Sequence, residues 1–227
     1  MTIAILTAMD KEHAQILNML KDTKEEHHVY DYTIGNLDSK TIVLTKCGIG
    51  KVNAAIGTSE IINRYKPDVV ISTGCAGGID ECLNVMDVVV SSKTVHHDFF
   101  LGVGWGLEKG VIQGMPKYFP ADEKLIEAAK KLNDPSIHIG LICTGDQFIT
   151  SKDELAQIKG DFPDGLAVDM ESVAIAQTCY VFNVPFVSFR VISDTPGADE
   201  HLQQYENFWS DMAQKSFETT KAFLLNI

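Results

Sequence analysis

Two short apolar runs of this chain end in carboxylates. One is Leu166-Ala167-Val168-Asp169-Met170-Glu171; the other is Phe186-Val187-Ser188-Phe189-Arg190-Val191-Ile192, followed by Ser193-Asp194. Such runs read as buried strands, and ligands of α/β folds sit outside the carboxyl ends of strands. Acids delivered there suit proton transfer, because burial and like-charged neighbours can keep one carboxyl protonated while another stays ionised. Glu12, in the first turn of a helix, reads in isolation as a solvated carboxylate favoured by the helix dipole. It joins the other acids if strands 3–6, 166–169 and 186–192 lie in one sheet with their C-terminal ends together.

Other reactive-looking residues carry less. Gly48-Ile49-Gly50-Lys51 fails the phosphate-loop spacing, and no G-x-G-x-x-G follows the first strand. Gly74-Cys75-Ala76-Gly77-Gly78 reads equally as a tight turn or as a small-residue segment that lets backbone amides approach a ligand. Cys75 lacks the spacing of a nucleophile elbow and reads as a small buried thiol lining the site. His96-His97-Asp98 has no further cluster at ligand spacing, so loop hydrogen bonding is the better reading than a metal site.

The elements that must position these residues alternate. Strands are expected at 3–6, 68–73, 85–91, 137–143, 166–169 and 186–192, with a hairpin of 29–35 and 40–46. Helices are expected at about 11–21, 52–65, 121–132, 151–158, 171–182 and 205–224. Ser151-Lys152-Asp153-Glu154 has the pattern of a capping box. The 171–182 helix is apolar on nearly all faces, and the last one spaces Trp209, Ala213, Phe217 and Leu224 for burial. Residues 93–120, rich in glycine and aromatics, read as a long functional or interface loop. The pattern implies an α/β fold, a three-layer α/β/α sandwich around a central mixed sheet. Its 227 residues are expected to form one domain, 1–227.

Composition narrows the partners. A net charge of -12 with no basic stripe argues against nucleic acid. Five scattered cysteines without C-x-x-C suit reduced thiols, and neither a signal segment nor a membrane-spanning run is present, so a cytoplasmic protein with no membrane partner is expected.

Several ordered blocks carry a resemblance over the whole length: Ala8-Met9-x-x-Glu12, Gly48-Ile49-Gly50-Lys51-Val52, Lys66-Pro67-Asp68-Val69, Gly74-x-Ala76-Gly77-Gly78, Gly145-Asp146-x-Phe148-Ile149, Val168-x-Met170-Glu171, Val184-Pro185-Phe186 and Arg190-x-Ile192-Ser193-Asp194. The chain resembles the bacterial methylthioadenosine/S-adenosylhomocysteine nucleosidases of the nucleoside phosphorylase superfamily. That resemblance implies a nucleoside phosphorylase-like fold that hydrolyses 5′-substituted adenosines to adenine, with water as co-substrate and no metal or organic cofactor. It makes Glu12 the acid that activates the water and Asp194, beside Ser193, the acid that protonates the purine at N7. Glu171 would hold the ribose hydroxyls, Met170 would pack on the sugar and 5′ substituent, and Gly77 would border the ribose. Phe148 would stack on adenine, the backbone of Ile149 would read its edge, and Arg190 would support the acids. Met9, Cys75, Ala76 and Tyr205 complete the expected substrate contacts. A homodimer is implied, in which the 99–116 loop closes the neighbour's 5′ pocket.

Competing readings are a phosphate-dependent purine nucleoside phosphorylase and a non-catalytic nucleoside-binding protein; aminodeoxyfutalosine and 5′-deoxyadenosine are alternative substrates. A phosphorylase needs strong cationic donors beside the anomeric carbon, whereas here Glu12 would repel phosphate. The chain departs from the family pattern at Cys75, Asp169, Tyr205 and the 99–107 loop, and all but Cys75 and Asp169 cluster on the 5′ side.

Overall fold

The computed structural model describes residues 1–227 apart from 196, 197, 199 and 210–212, and leaves out the side chains of 103, 201 and 213–216. Strand β1 (Thr2–Thr7) pairs in parallel with β4 (Lys40–Lys46) on one side and β5 (Val69–Gly78) on the other. From β4 the sheet runs out through antiparallel β3 (Asp31–Leu37) to β2 (Lys21–His27). On the other side β5 pairs in parallel with β10 (Phe186–Asp194) and, through Gly77 and Gly78, antiparallel with β9 (Gly165–Asp169). Strand β9 lies parallel to β8 (Ile137–Thr144), β8 parallel to β6 (Val88–His96), and β6 antiparallel to β10. These five strands close into a ring, and each sends one side chain to a shared buried cluster: Ala76, Val89, Ile142, Ala167 and Ile192. The short β7 (Phe119–Pro120) pairs with β6.

The layers follow from strand alternation, which points successive side chains to opposite faces. Ile3 and Ile5 of β1 join a cluster with Ile16 of α1 (Asp10–Leu17), Leu125 and Ala128 of α3 (Glu123–Lys130), and Phe217 and Phe223 of α7 (Ala213–Asn226). Ala4 and Leu6 face the other way, toward Ala54 and Ile61 of α2 (Lys51–Tyr65) and Val173 and Ala176 of α5 (Ser172–Phe182). Helix α4 (Lys152–Asp161) opens on the expected capping box, with Ser151 Oγ accepting from Glu154 N at 3.2 Å. The architecture is the expected mixed α/β sheet between helices. No described helix is long and apolar enough to cross a membrane.

Several local expectations change. The first helix ends at Leu17, and Lys21–His27 is a strand that the pattern missed. That segment is charged and almost wholly exposed, so it has no apolar alternation to show; it is a sheet edge blunted by charge. Strand β6 reaches His96, taking the start of the expected 93–120 loop. Gly74–Gly78 is not a turn, because β5 continues through it and the small residues admit neighbours on both edges. The C-terminal part of α5 is not enclosed: Tyr180, Val181 and Phe182 are exposed. The expected 205–224 helix corresponds to α6 (His201–Asn207) and α7, with residues 210–212 outside the described residues. On its expected face Phe217 and Leu224 are buried and Trp209 is half-buried, while the side chain of Ala213 lies outside the described set.

Candidate active site

The C-terminal ends of β1, β5, β9 and β10 meet around a concave cleft of the kind that binds small ligands. Glu12, just inside α1, is 1% exposed. Its Oε2 accepts from the backbone N–H of Ala8 at 2.9 Å and Met9 at 3.0 Å, and Oε1 accepts from Cys75 N at 3.0 Å. The carboxylate is thus pinned between the β1–α1 turn and β5. Gly74 makes this possible, since a Cβ there would collide with the Glu12 carboxylate and stand 2.7 Å from Arg190 Nη1.

Glu171, between β9 and α5, accepts from Gly50 N at 3.0 Å. Gly50 has φ of 94°, a conformation glycine adopts without strain, so the Gly48-Ile49-Gly50 segment supplies a backbone donor to the carboxylate. Burial raises the Glu171 pKa to about 7, with Asp169 and Glu12 adding to the rise and Arg190 and the Gly50 amide opposing it.

Beneath the cleft lies Arg190, 1% exposed. Its Nη2 is 2.8 Å from Asp169 Oδ2 and 3.7 Å from Glu171 Oε2, and donates to Ser72 Oγ at 2.7 Å. Burial opposes its charge, but Asp169, Glu171 and Glu12 outweigh that and hold its pKa above the ordinary value. Arg190 therefore does not line the cleft, contrary to its expected place among the substrate contacts, because its guanidinium is held from beneath by Asp169 at the floor and Ser72 below it.

Asp194 ends β10 beside Gly77 in register and is 2% exposed. Ser193 Oγ lies 2.6 Å from Asp194 Oδ1 and 3.3 Å from the Ala76 carbonyl. A hydroxyl has one hydrogen and can also accept. The Ser193 hydroxyl donates to Asp194 Oδ1 and so orients the carboxyl at the cleft. Cys75 has its thiol pKa pushed well up by burial and then by Glu12, which keeps it a neutral lining group.

The rim is built differently. Phe148, 47% exposed, meets Tyr205 of α6 edge-on at 5.7 Å between ring centroids. Tyr205 Oη donates to Met9 Sδ at 3.6 Å, and burial pushes its pKa up to about 12, so it is a neutral phenol. Met9, Cys75, Ala76, Gly77, Phe148, Ile149, Met170, Glu171, Ser193, Asp194, Tyr205 and Glu12 all line the same cleft.

Ile49, Gln147 and Asp169 also line it; Asp169 is legible in the sequence as a strand-end carboxylate but not as a substrate contact, and Ile49 and Gln147 are not singled out there. Ile49 and Gln147 each sit inside a motif block, next to Gly50 and Phe148, and that adjacency was the available signal. His96 Nε2 lies 2.8 Å from Gln177 Oε1, and His97 packs its ring on Gly145. Lys51 Nζ binds Asp98 at 2.6 and 2.8 Å, tying the glycine segment to the chain after β6.

The sequence pattern of the phosphorylase superfamily matches residues 2–225. A 5′-methylthioadenosine/S-adenosylhomocysteine nucleosidase of Actinobacillus succinogenes is 42% identical over 232 residues, covering 100% of both chains. The crystal structure of a nucleosidase of that name from Colwellia psychrerythraea, in complex with adenine, aligns with a TM-score of 0.93 at 37% identity, covering 100% of this chain and 95% of its own. The futalosine hydrolase of Helicobacter pylori aligns with a TM-score of 0.92 at 28% identity, covering 100% of this chain and 98% of its own.

Proposed function

The chain belongs to the phosphorylase superfamily, and we propose that it hydrolyses the N-glycosidic bond of 5′-methylthioadenosine and S-adenosylhomocysteine, releasing adenine. One observation carries the choice of water over phosphate. Among the described residues the cleft is lined by Glu12, Asp169, Glu171 and Asp194 and by no lysine or arginine, while the nearest guanidinium is engaged beneath the floor. A phosphate dianion would meet carboxylates without a free cation.

In this reading Glu12 takes a proton from water as its oxygen attacks the anomeric carbon. The carbon–N9 bond breaks, its electrons pass into the purine, and Asp194 gives N7 the proton that makes adenine a leaving group. Each proton transfer contributes roughly 10²–10⁴-fold. The register supports the division of labour: Glu12 contacts Cys75 and Asp194 is in register with Gly77, so the two acids meet β5 two residues apart, about 6–7 Å along the strand. Glu171 accepts the ribose hydroxyls, Met170 and Gly77 border the sugar, Phe148 stacks on the base, the Ile149 backbone reads its edge, and Arg190 steadies the acids from below. Met9 and Tyr205 flank the 5′ group.

In structural alignment the 37% identity to a methylthioadenosine/S-adenosylhomocysteine nucleosidase, against 28% to a futalosine hydrolase, favours the first substrate pair. Adenine release from a panel of methylthioadenosine, S-adenosylhomocysteine, 5′-deoxyadenosine and aminodeoxyfutalosine tests it. Preference for either of the first two supports the reading, and turnover of aminodeoxyfutalosine alone overturns it.

The working form in this proposal is a cytoplasmic homodimer. Five free thiols fit a reducing compartment. Phe100, Leu101 and Trp105 of the 99–116 loop are exposed, as are Val52 and Ile56 of α2 and Tyr180 and Val181 of α5. So much exposed apolar surface is costly on a monomer and supports a self-association surface that includes the loop.

A further inference from the structure

How Arg190 divides its hydrogens decides what Glu171 can offer a ligand. Each terminal guanidinium nitrogen carries two hydrogens. At Nη2 these meet Asp169 Oδ2 at 2.8 Å and Ser72 Oγ at 2.7 Å, whereas Glu171 Oε2 stands at 3.7 Å, outside hydrogen-bond reach. Nε turns to the hydroxyls of Ser172 and Ser188 at 3.2 and 3.3 Å. Asp169 is itself held in place: Thr144 Oγ1 donates to Oδ1 at 2.5 Å, Ser172 N donates to Oδ2 at 3.1 Å, and the Ser172 hydroxyl bonds the same oxygen.

We propose that Asp169, together with Ser72, is a positioning residue: the two occupy both Nη2 hydrogens of Arg190, so that Glu171 feels the guanidinium charge yet keeps Oε2 open to accept ribose hydroxyls. The inference rests on the reading that Glu171 holds the ribose. Were Arg190 to close onto Glu171, a hydroxyl would have to compete with a charge-assisted bond, which is about twice as strong as a neutral one. The ion pair holds the guanidinium against Asp169 at the end of β9.

The pH dependence follows from the groups facing Glu171, which are Arg190 from β10, Asp169 from β9, Glu12 from α1, the Gly50 amide before α2 and the neutral Cys47 thiol after β4. Asp169 and Glu12 raise the Glu171 pKa, and Arg190 and Gly50 lower it. Neutralising Asp169 removes a raising charge and frees Arg190, so the acid limb of kcat/KM moves to lower pH. Loss of packing alone would not move it.

The test measures calorimetric affinity for an uncleavable carbon-linked adenosine analogue and for its 2′,3′-dideoxy form. Wild type should prefer the dihydroxy form by about tenfold or more, as hydrogen bonds to a charged acceptor require. Asp169→Asn should erase most of that preference and shift the acid limb down. Ser72→Ala, which frees one Nη2 hydrogen without stranding a charge, should reduce the preference by about threefold, and Asp169→Glu should retain most of it. Glu171→Gln tests the underlying reading: an unchanged preference there overturns both the ribose assignment and the inference built on it. If Glu171→Gln abolishes the preference while Asp169→Asn and Ser72→Ala leave it and the acid limb in place, the inference alone is wrong. Should Asp169→Asn fail to fold, Ser72→Ala decides.

Discussion

The floor of the cleft and its rim are held by different physics. On the floor, Glu12 and Glu171 are buried and receive backbone N–H bonds, and Asp169 is joined by a buried ion pair to Arg190 beneath it. At the rim, Phe148 and Tyr205 meet through ring edges and one weak hydroxyl-to-thioether contact, with Phe148 half in solvent. Polar groups in a low-dielectric site cannot move without losing partners, whereas apolar contacts can slide at small cost. In the proposed function the floor would set the reaction, while Tyr205 and Met9 at the rim would set which 5′ group is accepted.

The largest effects should come from the floor. Asp194→Asn can still bond the base but cannot protonate it, so turnover of methylthioadenosine should fall by roughly 10²–10⁴-fold. A ribosyl nitrophenolate, whose leaving group needs no proton, should be much less affected; an equal loss on both substrates would make Asp194 a structural residue. Glu12→Gln should lower turnover over a similar range of roughly 10²–10⁴-fold while keeping nucleoside binding, as single-turnover and equilibrium measurements would show. Near-normal turnover would return Glu12 to the role of a turn-bracing carboxylate.

A smaller effect appears in the pH profile. Glu171 has its pKa raised to about 7, and only its ionised form accepts two hydroxyls. The ionised fraction falls as pH drops through that value, so kcat/KM should decline below about 7 and level off above it. A flat profile from pH 5 to 8 would separate Glu171 from ribose binding.

The rim should answer most gently. Tyr205→Phe removes one weak bond, so kcat should change by no more than about threefold, while the order of preference among 5′ substituents shifts. A loss as deep as that of Glu12→Gln would dissolve the distinction between the two regions. The exposed Trp105 belongs to the same comparison: if the proposed dimer forms through the 99–116 loop, Trp105→Asp should weaken it in sedimentation velocity, and an unchanged dimer would place the interface elsewhere.

The same contrast explains which residues are legible in the sequence. Carboxylates at the ends of apolar runs conflict with burial, and that conflict marks Asp169, Glu171 and Asp194 in the amino-acid order alone. Arg190 inside an apolar strand announces a buried charge, but its partners Ser72 and Asp169 lie on other strands and are brought to it only by the sheet register. Glu12 is ambiguous, because a helix-start acid has a local explanation and its bond to Cys75 N is long-range. The rim contact joins the chain after β8 to α6, and no local periodicity encodes it. Strand β2 is hidden for the opposite reason, since an exposed charged edge shows no hydrophobic pattern at all.

Product analysis in phosphate-free buffer, repeated with added phosphate, distinguishes hydrolysis from phosphorolysis. Hydrolysis should give adenine and free methylthioribose from methylthioadenosine at a rate that phosphate does not raise, with one solvent oxygen from labelled water in the sugar. Turnover that appears only with phosphate, yielding a sugar 1-phosphate, would contradict it.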